Sequence, residues 1–342
     1  MLITTDLAHA SKKKKSGEKK EMLSYSFEED GRIRVKINSS SLDIIQTCAR
    51  KTYYSLVKGL RSPNESNATL FGTAIHAALE TYYLGNIKDR RFSDGCRKNF
   101  ELLAYGGTCD DHNDCLLCNS VRSFVDAAQP LNVLDEYAAR SIPAGVWTLE
   151  HYFDNYLLDP FSVVLDDEGK PMVEKMFTIP LIDDEEMIVE IFGTIDVILK
   201  NENSGQILVC DHKTTSVLGN DFFNRLKPNH QYTTYIIGAQ RALGLETETF
   251  LVNGVQVKGK PKTKRGGPPN LVRQTTNRNK QDVEEFKMVM RNSVRILKSN
   301  LERDEWPYGP VNACAMYGGC QYLDICSVPE VVRENIIKAR FE

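Results

Sequence analysis

The chain has 342 residues, of which 41% are hydrophobic and 26% are charged, a composition that excludes a disordered or fibrous protein. Its formal net charge of −3 excludes a protein that binds nucleic acid through overall positive charge. There is no run of 18 apolar residues and no signal-peptide core at the N-terminus, so we expect a cytoplasmic protein without a membrane span. Nine cysteines in such a chain indicate metal ligation or free thiols before disulfides.

The N-terminal segment is basic, with six lysines in its first 20 residues and few apolar residues. We predict a disordered tail over residues 1–25, for which contact with phosphates is an alternative use. The next ordered element is a predicted strand over 32–37. Three serines, Ser39 to Ser41, then precede a helix that runs through Cys48 to Tyr53, since serine is a favoured N-cap.

A second helix is predicted over 71–83, where Ile75 and Leu79 recur at helical spacing. His76 lies on another stripe of this helix, and a histidine in that setting is more often part of the core than a ligand. Residues from about 86 to 150 indicate a helical insertion. Within it lies a tight polar loop, for which a structural zinc site and free thiols both remain open. The four candidate ligands are Cys109, His112, Cys115 and Cys118.

A hairpin of two apolar strands, 191–199 and 207–210, carries the most informative charges. A turn centred between Asn203 and Ser204 makes Asp196 and Asp211 cross-strand partners, with Cβ atoms roughly 4.5–5.5 Å apart. Lys213 points to the same face as Asp211. Two carboxylates at that distance repel by about 3 kcal/mol at an effective dielectric constant near 20. A divalent cation removes this cost; the alternative is a solvated hairpin with a charge cluster.

The remaining elements follow in order. A helix over 231–245 starts with Gln231 and Tyr235 four residues apart on one face, and a strand over 249–258 comes next. Five cations between 258 and 265 then predict a mobile basic loop that is suited to phosphate contacts. A helix over 281–301 has the apolar spacing of core packing, and three cysteines, Cys314, Cys320 and Cys326, lie beyond it.

These motifs, taken in order, resemble the PD-(D/E)XK nuclease superfamily, and specifically its RecB-like exonuclease branch. Gly-x-x-x-His ends at His76, Gly-x-x-Asp at Asp196, Asp-x-Lys-Thr spans Asp211 to Thr214, and Gln-x-x-x-Tyr ends at Tyr235. The proline of the family name is missing, because the first acid lies in the sequence GTID. The resemblance implies an α/β (α+β) protein with a restriction-endonuclease-like core. Its mixed central sheet would be flanked by helices and, with the helical insertion, would form one domain over residues 26–342.

The resemblance also implies the roles of the site residues. His76, Asp196, Asp211 and the main-chain carbonyl of His212 would hold one or two Mg²⁺ or Mn²⁺ ions. Lys213 would orient the attacking water or stabilise developing negative charge. Gln231 and Tyr235 would hold the site helix and the DNA backbone.

A second similarity concerns the cysteines. In the RecB-like branch one cysteine before the nuclease core and three after it can hold a [4Fe–4S] cluster, and Cys48 with the Cys314–Cys326 group matches that order. The spacing of five residues within this group departs from the commoner Cys-x-x-Cys. Zinc and buried free thiols are therefore the alternatives.

We therefore expect a metal-dependent DNA nuclease, an exonuclease or endonuclease, in the cytoplasm of a bacterium or a phage-infected cell. It would act in DNA replication, recombination or repair, with DNA and a helicase or recombination protein as partners. One rival is a catalytically silent DNA-binding or iron–sulfur assembly subunit with the same fold. Another is a metallohydrolase for a substrate other than nucleic acid.

Overall fold

A computed structural model describes residues 23–63, 65–85, 94–107, 115–262, 267–315 and 319–341, with the backbone alone for 94–97. The first described element is a strand that pairs with the next one along the chain. Residues 23–25, which the sequence assigned to the disordered tail, therefore belong to the sheet. This strand has only five residues, too few for a clear alternation of apolar and polar side chains. Two of its aromatic side chains, Tyr25 and Phe27, are exposed.

Eight strands in the described residues form one mixed sheet. The main path runs β1-β2-β5-β6-β7-β8, while β3 and β4 pair with β5. The β2–β5 and β6–β7 pairs are parallel and the others antiparallel. The strands are β1 (Leu23–Phe27), β2 (Ile33–Ile37), β3 (Phe161–Val163), β4 (Val173–Asp183), β5 (Met187–Asn201), β6 (Ile207–Thr215), β7 (Thr249–Gln256) and β8 (Leu271–Asn277).

Helices cover both faces of this sheet, as the sequence predicted. They are α1 (Ser39–Thr47), α2 (Ala49–Thr52), α3 (Asn67–Leu84), α4 (Asp94–Ala104), α5 (Leu116–Ala128), α6 (Ile142–Asn155), α7 (Asn220–Phe223), α8 (His230–Ala242), α9 (Lys280–Arg303), α10 (Val311–Ala315), α11 (Leu323–Cys326) and α12 (Glu330–Phe341), with a π-helical turn at Tyr53–Val57. None of the described helices combines the length and apolar character that a membrane span requires.

Two apolar clusters hold the layers together. One packs α3 and the inserted helices α4, α5 and α6 against the sheet through side chains such as Leu79, Phe124 and Phe153. The other packs β1, β2, α8 and α9 around Ile236 and Phe286. The predicted insertion is therefore helical in its described part, and it contributes to the main core of the protein.

The first predicted helix differs from the observed one in two respects. Its N-cap is Asn38, whose side chain accepts a hydrogen bond from the Ser41 amide, so the serines form the first turn. The helix also stops at Cys48, whose extended backbone separates α1 from α2. This break turns the Cys48 thiol toward the C-terminal segment.

Candidate metal site on the β5–β6 hairpin

The β5–β6 hairpin has the register that its turn predicted. Val197 pairs with Cys210 and Ile198 with Val209, so Asp196 and Asp211 are the next residues on the two strands. The Asp211 residue is 2% exposed and the Asp196 side chain 11% exposed. Apolar residues on both faces bury the hairpin here, which places the two acids at the edge of the core.

Asp196 is held by two contacts to one oxygen. The His212 amide donates a hydrogen bond to Asp196 Oδ2 at 2.8 Å, and His76 Nδ1 lies 3.3 Å from the same oxygen. Burial, and next the charge of Asp211, raise the pKa of the Asp196 carboxyl well above its ordinary value. Without a cation, this carboxyl therefore tends to keep its proton.

His76 reaches the hairpin from the middle of α3. Its Nε2–H donates a hydrogen bond to the His212 carbonyl at 2.8 Å, because a carbonyl oxygen only accepts. In the neutral imidazole, Nδ1 is then the nitrogen with a free lone pair, and it faces Asp196. His76 can therefore offer Nδ1 to a metal ion while its other nitrogen is fixed by the backbone of β6.

Asp211 and Lys213 lie on the second strand of the hairpin. Lys213 Nζ is 2.6 Å from Asp211 Oδ2, in an ion pair whose acidic side chain is only 3% exposed. Gln231 donates a long hydrogen bond of 3.4 Å to Asp211 Oδ1. A buried carboxylate is costly unless a cation lies beside it, and Lys213 supplies that charge to Asp211.

Glu174 is the site residue that the sequence did not indicate. It lies on β4 between the pairs Val173–Val197 and Lys175–Ile195, and so faces Asp196 across the strands. Ligand atoms of His76, Glu174 and Asp196 all lie within 4.8 Å of one another. Glu174 has a φ of 48°, a left-handed conformation that costs a residue with a Cβ roughly 1–2 kcal/mol. Such strain is typical of functional positions.

The site can therefore hold a divalent cation. The carboxylates of Glu174, Asp196 and Asp211, with one imidazole, form a set of mainly hard oxygen donors, which suits Mg²⁺ or Mn²⁺. Asp211 is not within the 4.8 Å group, so the donors extend over a wider site. Lys213 pairs with Asp211, and the raised pKa of the Asp196 carboxyl indicates that positive charge is still missing beside this second acid.

Gln231 and Tyr235 form the helical wall of the site. Asn229 caps α8 by accepting from the Gln231 amide, and the Gln231 side chain donates to Tyr235 Oη at 3.0 Å. Burial first, and then the charge of Asp211, raise the pKa of the Tyr235 hydroxyl. The side-chain amide of Gln231 thus connects α8 to Asp211.

A buried polar network supports the hairpin from behind. The His212 ring stacks on Tyr83 at 5.3 Å and its Nδ1 accepts a hydrogen bond of 2.7 Å from Asn253. Arg273 donates to Asn253 and Tyr83 and forms a buried ion pair of 2.6 Å with Asp159. Burial lowers the pKa of His212 well below its ordinary value, so this ring is neutral.

The chain segments that carry the four predicted cluster cysteines lie beside one another, although Cys48 is far from the other three in sequence. Cys48 Sγ accepts hydrogen bonds from the amides of Gly309 at 3.2 Å and Lys51 at 3.5 Å. Burial raises the pKa of the Cys326 thiol, Arg50 lowers it, and the thiols of Cys320, Cys48 and Cys314 raise it further. These thiols therefore share one electrostatic environment.

The spacing of these thiols bears on which group would fit. A tetrahedral zinc site with Zn–S bonds of about 2.3 Å brings its sulfurs to about 3.8 Å from one another. In the described residues, no three of these cysteines have sulfurs within 4.8 Å of one another. Thiolates on separate irons of a cluster lie farther apart than thiolates on one zinc ion, so this spacing is compatible with a cluster.

Two other predicted features are only partly described. Cys109 and His112 of the candidate zinc loop lie outside the described residues, while Cys118 is fully buried in the α3–α6 core. In the predicted basic loop, 263–266 lie outside the described residues. Lys260 and Lys262 lie over the rings of Tyr105 and Tyr137, so this part packs against the helical insertion instead of being free.

Two of the comparisons with known proteins give little beyond a distant likeness. No curated protein matches the chain. One similar solved structure is that of a presumed exonuclease from Eubacterium rectale, with 14% identity, a TM-score of 0.47, and coverage of 81% of this chain and 85% of that chain.

The family comparison covers the whole site. The model of the PD-(D/E)XK nuclease superfamily matches residues 36–327, a span that includes the β5–β6 hairpin, His76 on α3, the α8 helix and all four cluster cysteines. The match thus contains each motif whose side chains meet at the hairpin. The chain therefore belongs to the PD-(D/E)XK nuclease superfamily.

Proposed function

We propose that the protein is a Mg²⁺- or Mn²⁺-dependent exonuclease of the RecB-like branch that hydrolyses phosphodiester bonds in DNA. The observation that carries this proposal is the pair of buried acids on the hairpin, Asp196 and Asp211, beside the single ammonium of Lys213. Asp211 lies beside Lys213 and across the hairpin from the His76–Glu174–Asp196 group. A silent scaffold has no physical reason to keep this arrangement, because one ammonium does not balance these acids and their repulsion destabilises the fold.

Each side chain has a role that its contacts support. Asp196, Asp211, Glu174, His76 Nδ1 and the second lone pair of the His212 carbonyl would hold the cation, and a bound divalent cation polarises a phosphate and lowers the pKa of a coordinated water. The Lys213 ammonium, 30% exposed, can orient the attacking water and balance negative charge that develops on the phosphate. Gln231 fixes Asp211, and the His212 amide fixes Asp196.

The test is hydrolysis of end-labelled linear DNA, blocked at the 5′ or the 3′ end, with Mg²⁺, Mn²⁺ or EDTA. Wild-type protein should release mononucleotides or short products from one unblocked end only when a metal is present. Lys213→Gln and Asp211→Asn should lose at least a hundredfold in rate, on the order of the loss from removing one charge-stabilising group. The matched control Asp167→Asn changes an exposed acid on a loop and should keep full activity.

Two outcomes would favour the rival proposals. Cleavage of closed circular DNA at the wild-type rate would assign an endonuclease. DNA binding without hydrolysis under any metal would assign the catalytically silent subunit. Equal rates in wild type and Lys213→Gln would remove the site assignment whatever the substrate.

We also propose that Cys48, Cys314, Cys320 and Cys326 hold a [4Fe–4S] cluster with a structural use. The shared environment of the thiols and their wide spacing support it. Anaerobically purified protein should absorb near 400 nm and contain about four irons per chain. Cys320→Ser should lose both signals, whereas Cys210→Ser, which alters a buried thiol outside the group, should keep them. A colourless protein with one zinc would establish the alternative.

The biological setting is proposed from the family resemblance. We propose that the protein acts in the cytoplasm of a bacterium or a phage-infected cell, in DNA replication, recombination or repair. A helicase or recombination protein is the proposed partner. Co-purification of such a protein from a native lysate, lost when the wild-type chain is omitted, is the corresponding test.

A further inference from the structure

A groove of about 400 Å³ lies next to the candidate metal site, between the start of α1 and strands β4 and β5. Tyr235 forms part of its wall. The same tyrosine accepts a hydrogen bond from Gln231, which also donates to Asp211. The charges of Asp211, Asp196 and Glu174 all act on its hydroxyl. The groove and the metal site therefore share one side chain as a common wall.

The groove combines two kinds of surface. Met176, which is 80% exposed, and the half-buried ring of Phe192 both line the groove and give it an apolar part. Lys36 adds positive charge, with its Nζ 5.5 Å from the centre of the Phe192 ring. The polar part consists of one amide and several hydroxyls, from Asn38, Ser39, Ser40, Thr178 and Thr194.

A nucleotide matches both surfaces. Its base has a flat apolar face that stacks on aromatic side chains, and its phosphate is bound by ammonium and hydroxyl groups. The volume is in the range of sites for single small ligands, too small for a base pair with its backbones. A duplex keeps the faces of its bases covered by stacking, so only an unpaired nucleotide can present a base face to Phe192.

We propose that this groove holds one unpaired nucleotide of a single-stranded DNA substrate, next to the phosphate that is cleaved. The base lies against Phe192 and Met176, and its phosphate lies at Lys36 and the nearby hydroxyls. The proposal rests on the proposed nuclease function and names its substrate: a DNA end that is single-stranded over at least this nucleotide. Stacking is tolerant of sequence, so the groove recognises any base.

The experiment measures binding of a fluorescent single-stranded oligonucleotide in EDTA, where hydrolysis cannot occur, together with cleavage in Mg²⁺. Phe192→Leu keeps most of the volume but removes the aromatic face, and should weaken binding about tenfold, the low end of base–aromatic stacking. Phe27→Leu, at a 49% exposed phenylalanine on β1, is the matched control. Met176→Ala alters an exposed side chain that the fold does not need, and should weaken binding two- to fivefold.

A second pair of variants addresses the phosphate. Lys36→Gln should weaken binding severalfold and reduce its dependence on salt, because one phosphate contact is lost. Lys200→Gln, at the far end of β5 where the ammonium forms an exposed pair with Glu202, should change neither. Binding of blunt duplex DNA should be equally weak in all these proteins.

An abasic nucleotide identifies the position. When it is scanned along the oligonucleotide, one position should weaken wild-type binding about tenfold and Phe192→Leu binding hardly at all, because both changes remove the same stacking contact. Additive losses at every position would overturn the proposal, as would equal binding of Phe192→Leu, Met176→Ala and Phe27→Leu. A wild-type protein that binds in this pattern but never hydrolyses DNA would instead disprove the nuclease function and leave the groove assignment standing.

Discussion

Replacing Asp196 by asparagine should make the metal-free protein more stable. Burial and the charge of Asp211 raise the pKa of the Asp196 carboxyl above its ordinary value. At pH values between the ordinary pKa and the raised one, the folded chain binds more protons than the unfolded chain, so wild-type stability falls as the pH rises. The asparagine side chain has no charge to bury, and it keeps a carbonyl oxygen that can accept from the His212 amide.

The expected magnitude follows from the charges around Asp196. Repulsion between two carboxylates about 5 Å apart is about 3 kcal/mol at an effective dielectric constant of 20. The His212 amide and Lys213 lower the pKa of Asp196 and offset part of it, which leaves a gain of about 1–2 kcal/mol. With an unfolding entropy of about 2.1 cal/mol/K per residue over 342 residues, this corresponds to a rise of roughly 1–3 °C in Tm.

Thermal unfolding in EDTA between pH 5 and 8 measures this gain. The difference in Tm between Asp196→Asn and wild type should widen as the pH rises, while Asp167→Asn should track wild type. Saturating Mg²⁺ should then reverse the order, since a ligand at a hundred times its Kd stabilises the wild type by about 2.7 kcal/mol and the variant lacks a charged ligand. A variant that is less stable than wild type in EDTA at every pH would refute the reasoning.

Three further predictions follow from named contacts. Glu174→Gly should raise the Tm of metal-free protein by relieving about 1 kcal/mol of left-handed backbone strain, whereas Glu174→Gln should leave the Tm unchanged. Calorimetric titration should show weaker Mg²⁺ binding in both variants. Unchanged binding would remove Glu174 from the site. Arg273→Met should destabilise the protein by about 3–5 kcal/mol in urea unfolding, because Asp159 is left buried and unpaired; the double variant with Asp159→Asn should recover part of this loss, and an additive result would contradict the pairing. Cys320→Ser should leave the start of α9 protected from hydrogen exchange but lower protection in α12, and equal protection in both proteins would argue against a structural use of the thiols.

The hairpin could be predicted because its turn is short and its sequence local. A short polar tract separates two apolar runs, so one pairing register buries both strands. That register places Asp196 opposite Asp211. The mixed sheet with flanking helices was instead implied by the resemblance to the superfamily, and the structure confirms it.

Glu174 could not be predicted because its position depends on a β-bulge. Near the turn, Ile182 pairs with Val189, and a continuous register from that pair would place Lys175 opposite Asp196. An irregularity between Pro180 and Ile182 shifts the pairing by one residue, so an acid faces the site instead of a lysine. Bulges leave little trace in a single sequence.

The buried polar network behind the hairpin could not be predicted from the sequence either. Arg273 lies on β8 and Asp159 precedes β3, and the two are 114 residues apart. Their ion pair exists only because the sheet order brings β7 and β8 beside β6. Contacts of this kind depend on strand order, which periodicity does not specify.

The C-terminal segment packs against the part of the chain that surrounds Cys48. Arg50 donates to the Trp306 carbonyl, Gly309 to Cys48 Sγ and Tyr322 to the Leu60 carbonyl, across separations of 256, 261 and 262 residues. On the ribosome, the first half of this structure emerges long before the second. A group that needs all four thiols can be inserted only after synthesis has passed Cys326, so chains truncated before that residue would leave the ribosome without it.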